Sequence, residues 1–156
     1  TGCERAHKAS YFEIAQKIRF SIKDEIGIDV SIGLSSSKTL AKLASEIAKS
    51  NLRKKTDISG VFEINVQNMG EILRTTSINE IWGIGRNLDK TLRRHNIRSA
   101  LDFINLPEDF LKRNLGKNGL DMQKELSGVS MNPRKKPRKA FQKPPLSGIL
   151  SMIKVL

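Results

Sequence analysis

Residues 28–34 alternate without a break: Ile28, Val30, Ile32 and Leu34 are apolar, and Asp29, Ser31 and Gly33 stand between them. A period of two puts the two sets on opposite sides of an extended backbone, so the segment reads as a half-buried strand. Ser35, Ser36 and Ser37 then supply a turn and an N-cap for the next element. From Lys38 the period changes to that of a helix, with Leu40, Leu43, Ala44, Ile47 and Ala48 on one stripe up to residue 49.

The rest of the chain is mostly helical. Tyr11, Ile14, Ala15, Ile18, Ile22 and Ile26 recur at helical spacing over 9–26, and Gly27 is a stop signal. Together these elements give an α+β class, a helix–strand–helix unit followed by an all-helical part. Residues 51–55 read as a basic polar loop. Val61, Phe62 and Ile64 suggest a short strand, and 69–74 a short helix. The stretch 77–106 reads as helix, tight glycine turn, helix, with a third helix from Ala100. A helix follows Pro107, and a short last one covers 120–127. From Met131 four prolines sit among lysines and arginines, the composition of a linker or tail.

Charge is the strongest global property. Lys and Arg number 28 against 16 acids among 156 residues, a net +12. Two readings fit, a polyanionic partner such as a nucleic acid, or a basic soluble protein without one. Cys3 stands alone and His7 and His95 are the only histidines. That rules out an internal disulfide, argues against a structural zinc site, and suits a reducing, cytoplasmic setting. No run approaches the length of a membrane span.

Lys38, Lys42 and Lys49 share one stripe of the 38–49 helix. At 3.6 residues per turn, Lys42 lies about 40° and Lys49 about 20° from Lys38, with Ser45 among them and the apolar stripe nearly opposite. Three ammonium groups in line suit a run of phosphates, each acting as a point charge. The plainer reading is a solvated face. The sequence favours phosphate because the stripe itself carries no compensating acid.

The second feature is Gly83-Ile84-Gly85 between apolar segments, with Arg86, Lys90, Arg93 and Arg94 after it. This is the pattern of a helix-hairpin-helix, in which glycines allow positive φ and bare N–H groups at a helix start grip a DNA phosphate. A dinucleotide loop is set aside, because no third glycine comes at the needed spacing. A plain structural turn stays open. A basic RNA-binding protein is a further option, weakened by the scarcity of aromatics for base stacking.

Taken in order, "VSIGLSSSKTLAKLASEIAKSN" at 30–51 and "IWGIGRNLDKTLRRHNIRSALDF" at 81–103 resemble the Y-family translesion DNA polymerases. Trp82 before the glycine turn and "KELSG" at 124–128 look most like the UmuC branch, the catalytic subunit of DNA polymerase V, with the ImpB, MucB and SamB proteins. The resemblance covers about residues 1–130. It implies a partial palm at 1–56, a thumb with a helix-hairpin-helix at 57–130, and a basic tail at 131–156. It further implies that Lys49 reaches the phosphates of the incoming nucleotide, with Lys38 and Lys42 near it. Gly83, Ile84, Gly85, Arg86 and Lys90 would hold the DNA backbone. The parent activity would be error-prone, template-directed nucleotidyl transfer with Mg2+ on damaged DNA, within DNA repair and the SOS response. A sliding clamp and UmuD-type subunits would be its partners.

The chain departs from the family at both ends. The family's Ser-x-Asp-Glu segment, which binds magnesium, does not occur, and Thr1-Gly2 resembles the residues just after it. The chain therefore reads as a fragment without catalytic carboxylates, binding no metal of its own. After about Lys139 the family pattern stops, as it would in a frameshifted or truncated product. A palm without its leading strands also predicts a loose 1–56 beside a better-folded thumb.

Overall fold

The computed structural model describes residues 10–129. The tail expected at 131–156 lies outside them, as do Thr1, Gly2, Cys3 and His7. The order is α1 (Tyr11–Ile26), β1 (Ile32–Leu34), α2 (Lys38–Lys54), β2 (Val61–Glu63), α3 (Met69–Thr75), a 3-10 turn at Ile78–Glu80, α4 (Arg86–Arg94), α5 (Ala100–Ile104) and α6 (Glu108–Leu126).

β1 and β2 pair in parallel, Ile32 opposite Val61, Gly33 opposite Phe62 and Leu34 opposite Glu63. Parallel strands need a crossover, and α2 provides it. The strand is shorter than the alternation at 28–34 predicts. A strand exists only where a neighbour offers a ladder, and β2 offers three residues, beginning just after Gly60, whose φ of +63° turns the chain ahead of Val61. Before β1, Arg19 of α1 takes over: its Nε donates to the Val30 carbonyl at 3.0 Å and its guanidinium pairs with Asp29 at 3.1 Å.

Gly33 sets how closely α2 lies on β1. A Cβ there would stand 2.0 Å from the Ala41 carbonyl oxygen and 2.3 Å from the Ser45 nitrogen. Only a bare backbone permits that approach.

α2 begins at Ser37, whose hydroxyl accepts from the Leu40 N–H at 3.3 Å. It continues past residue 49 to Lys54, where the sequence suggests a polar loop. Residues 51–54 contain no Gly or Pro to stop it, and Arg53 and Lys54 favour a helix C-terminus. The element ahead of the glycine turn is also different from the expected helix. It is one 3-10 turn, too short to bury a face of its own. The helices expected after Pro107 and over 120–127 form one run, α6, broken by non-helical Gly116.

The core joins α2 to the helical part. Leu40, Leu43 and Ala44 belong to one buried cluster with Leu73, Ile78, Leu92, Phe103, Leu111 and Leu126. Glu125 near the end of α6 ties the same junction. Its carboxylate accepts from the Thr39 N–H at 3.2 Å and from the Thr39 hydroxyl, and its carbonyl accepts from Ser37 at 2.6 Å. A helix start that needs partners for its free N–H groups thus finds one 86 residues away. α1 is packed differently. Of its side chains only Ala15 is fully buried, while Ile18 and Phe20 are 50% and 70% exposed.

Candidate nucleic-acid and phosphate interface

Lys38, Lys42 and Lys49 are all exposed on α2, as their spacing predicts. The structure separates them in use. Lys42 and Lys49 line a hollow of about 490 Å³ with Ser45, Glu46 and Arg53 on one side and Asp29, Val30 and Ser31 on the other. Lys38, a full turn nearer the helix start, does not line it. Ser45 is spent on structure, its hydroxyl donating to the Ser31 carbonyl at 3.3 Å.

The expectation of a stripe without acids is corrected. Glu46 stands one turn beyond Lys42 and pairs with it at 2.8 Å. It was missed because it lies at the edge of the stripe, about 80° from Lys38, within side-chain reach of Lys42. Its carboxyl is held below the usual carboxylate range chiefly by the Lys42 hydrogen bond, opposed by desolvation and helped in turn by the charges of Lys42, Lys49 and Arg53. Arg53 lines the same hollow, although the sequence does not single it out. Its signal was the i, i+4 spacing from Lys49, hidden by ending the helix at 49.

The glycine turn is pinned from inside. Ile78, Ile81 and Ile84 are buried around it. Gly83 has φ +98°, a conformation side chains rarely adopt, and a Cβ there would press on Met122 at 2.8 Å. Gly85 differs from the expectation. Its φ is −81° and a Cβ would meet nothing within 4 Å, so neither backbone strain nor internal crowding requires glycine. It is the N-cap of α4 and brings no side chain to cap it. The first N–H groups of α4 therefore have no N-cap side chain as partner, at the half-positive end of the helix. Arg86 and Lys90 are exposed beside them. Arg93 is not available in the same way, since it pairs with Asp89 at 2.7 Å and donates to the Ser77 hydroxyl at 3.2 Å.

Magnesium finds no fitting donor set among the described residues. None of them forms a cluster of three or more candidate ligands. The two carboxylates of the hollow are already engaged, Glu46 by Lys42 at 2.8 Å and Asp29 by both Arg19 and Lys23, each at 3.1 Å. Two-metal phosphoryl transfer needs free carboxylates that converge on shared ions, and these two are held by cationic partners instead. Nor is any helix among the described residues long and apolar enough to cross a membrane.

Residues 1–46 match the impB/mucB/samB family. The chain is 31% identical over 133 residues to a DNA polymerase IV of Clostridium kluyveri, covering 85% of this chain and 31% of that protein. It is 36% identical over 113 residues to a DNA polymerase IV of Picrophilus torridus, covering 72% of this chain and 30% of that protein. Its fold is similar to the crystal structure of DinB from Sulfolobus solfataricus, with TM-score 0.56, 26% identity, and 74% of this chain and 32% of that one covered. The insertion ternary complex of Dbh DNA polymerase gives TM-score 0.60 at 26% identity, covering 78% of this chain and 33% of that one. The chain thus spans about a third of the length of the relatives it matches. In sequence and in fold it is similar to the DinB and impB/mucB/samB polymerases, a mixed helical and small-sheet arrangement.

Proposed function

We propose that this chain is the partial palm and thumb of a Y-family DNA polymerase acting in translesion synthesis, and that its own residues handle DNA and nucleotide phosphates without performing the chemistry. The observation that carries the reading is the pairing of two phosphate-type surfaces on one core. Lys42 and Lys49, with Arg53, face one hollow, and the uncapped start of α4 lies beyond the buried isoleucine turn. Residues 1–56 serve as palm, 57–130 as thumb and 131–156 as tail. Lys49 and Lys42 neutralise the triphosphate. Lys38, outside the hollow, adds charge along the same helix. Gly83, Ile84, Gly85, Arg86 and Lys90 form the hairpin against the DNA backbone, in the manner of a helix-hairpin-helix.

Finer points of the same proposal rest on sequence resemblance. Trp82 and "KELSG" at 124–128 support the UmuC branch, whereas the relatives from Clostridium kluyveri and Picrophilus torridus are DNA polymerases IV. Mg2+, damaged template-primer, a sliding clamp, UmuD-type subunits, the SOS response and a cytoplasmic location belong to the whole polymerase on this reading.

A second reading needs only the turn and the charge: a non-catalytic, sequence-independent DNA-binding module. Nucleoside triphosphate binding to the chain separates the two. The polymerase reading expects Lys49→Ala to weaken triphosphate binding about tenfold and to leave duplex binding nearly unchanged. Glu46→Gln, which releases Lys42, should strengthen triphosphate binding. No triphosphate binding together with salt-sensitive duplex binding favours the bare module. Primer extension by this chain alone should give no product, and magnesium-dependent incorporation would overturn the claim that it lacks the chemistry.

A further inference from the structure

The side chain that the phosphate surfaces leave unused is Trp82. It is 71% exposed, although its neighbours Ile81 and Ile84 are buried. The chain holds no other tryptophan. A large aromatic left in water at a turn fixed by buried residues on both sides is a preorganised surface, because little freedom remains to be lost on binding.

The groove beside it combines an apolar floor of Leu43, Ile47, Ile81 and Ile84 with charged and polar side chains. Trp82 lines a groove of about 750 Å³ whose other wall is α2, with Lys42 near its start and Asn51, Arg53 and Lys54 at its end. Glu46 and Glu80 line it too, and Glu46 is already neutralised by Lys42. An aromatic face opposite cations at the end of a basic helix is the combination that holds unpaired nucleotides: the base stacks on the ring and the backbone follows the charges. The turn of helix that carries Arg53 and Lys54 exists only because α2 runs on past Lys49.

We propose that Trp82 is the stacking platform for an unpaired base of single-stranded DNA lying in this groove, with its phosphates on Arg53 and Lys54. The site is distinct from the N–H groups of α4, which suit a duplex backbone. It rests on the reading that the chain binds DNA and adds a single-strand subsite to it.

The single tryptophan makes the test direct. The full chain is titrated with a short oligothymidylate while tryptophan emission is followed, and labelled oligothymidylate and blunt duplex are compared by anisotropy. Saturable quenching by the single strand is expected. Trp82→Ala should weaken single-strand binding about tenfold or more and duplex binding by less than about twofold. Trp82→Phe, which keeps a ring, should retain most of the affinity. Single-strand binding that leaves the emission unchanged overturns the proposal and turns Trp82 toward a protein partner instead. Equal weakening of both DNAs by Trp82→Ala also overturns it, making the residue part of the duplex hairpin. Duplex binding without single-strand binding removes this subsite alone, whereas loss of both removes the DNA-binding reading beneath it. Were Trp82→Ala to unfold, the emission titration and Trp82→Phe would still decide.

Discussion

α1 and α2 flank the same two strands, yet they are held by different means. α1 is amphipathic over 16 residues and well capped. Ser10 and Glu13 form a reciprocal capping box, and Gly27 closes the other end in a left-handed conformation. It nevertheless fully buries only Ala15. α2 has no such capping box and carries five lysines and arginines, but it fully buries Thr39, Leu40, Leu43, Ala44 and Ala48. It shares a core with residues as distant as Leu126. Local signals make a helix possible in both cases; burial against other elements decides how firmly it is held.

That contrast moves the boundary between loose and firm structure. The resemblance alone predicts weakness throughout 1–56. The packing assigns α2 to the firm side instead. Amide exchange should be fast in α1 and around β1 and slower by orders of magnitude in α2, α5 and α6. Equal protection of α1 and α2 would erase the comparison.

Mutations sharpen it in descending order. Phe103→Ala should cost about 4 kcal/mol in chemical denaturation, because the ring is fully buried at the centre of the shared core. The same melt followed by amide exchange should show α2 opening with the helical part. Thr39→Val should cost about 2 kcal/mol, since it removes a hydroxyl from the Glu125 carboxylate that joins α2 to α6. A loss no larger than that of an exposed surface change would mean the junction is held by apolar contact alone. Ser99→Ala should cost about 1 kcal/mol through loss of the α5 cap.

The α5 cap also gives a pH dependence. Asp102 accepts N–H groups from Ser99 at 2.9 Å and Arg98 at 3.0 Å, and these bonds hold its carboxyl below the usual range. The unfolded chain then binds the proton more readily than the folded one. The contribution is present above the ordinary value of 3.8 and fades as pH falls through the lower folded value. Asp102→Asn should flatten this part of the acid limb in a pH series of melts.

Much of the candidate site could be read from the order of residues. The period at 38–49 placed Lys38, Lys42 and Lys49 outward, and buried isoleucines around Gly83 made the turn. What failed to be legible depended on reach and on neighbours. Glu46 required knowing which of several conformers its side chain shares with Lys42. Arg53 required knowing that nothing ends the helix at 49. Gly85 looked like a second strained glycine, whereas its dihedrals are ordinary and its significance is the open space around it.

By itself the sequence determined the class and the sidedness of this protein: a helix–strand–helix unit ahead of a helical part, a basic face on α2, a glycine turn and an excess of positive charge. Those come from period and composition, which act over a few residues at a time. Only the tertiary structure decided that two of three lysines share a hollow, that β1 has three paired residues rather than seven alternating ones, and that Trp82 looks across a groove at Arg53 and Lys54. Each of these depends on a partner many residues away, and no local pattern encodes where that partner will stand.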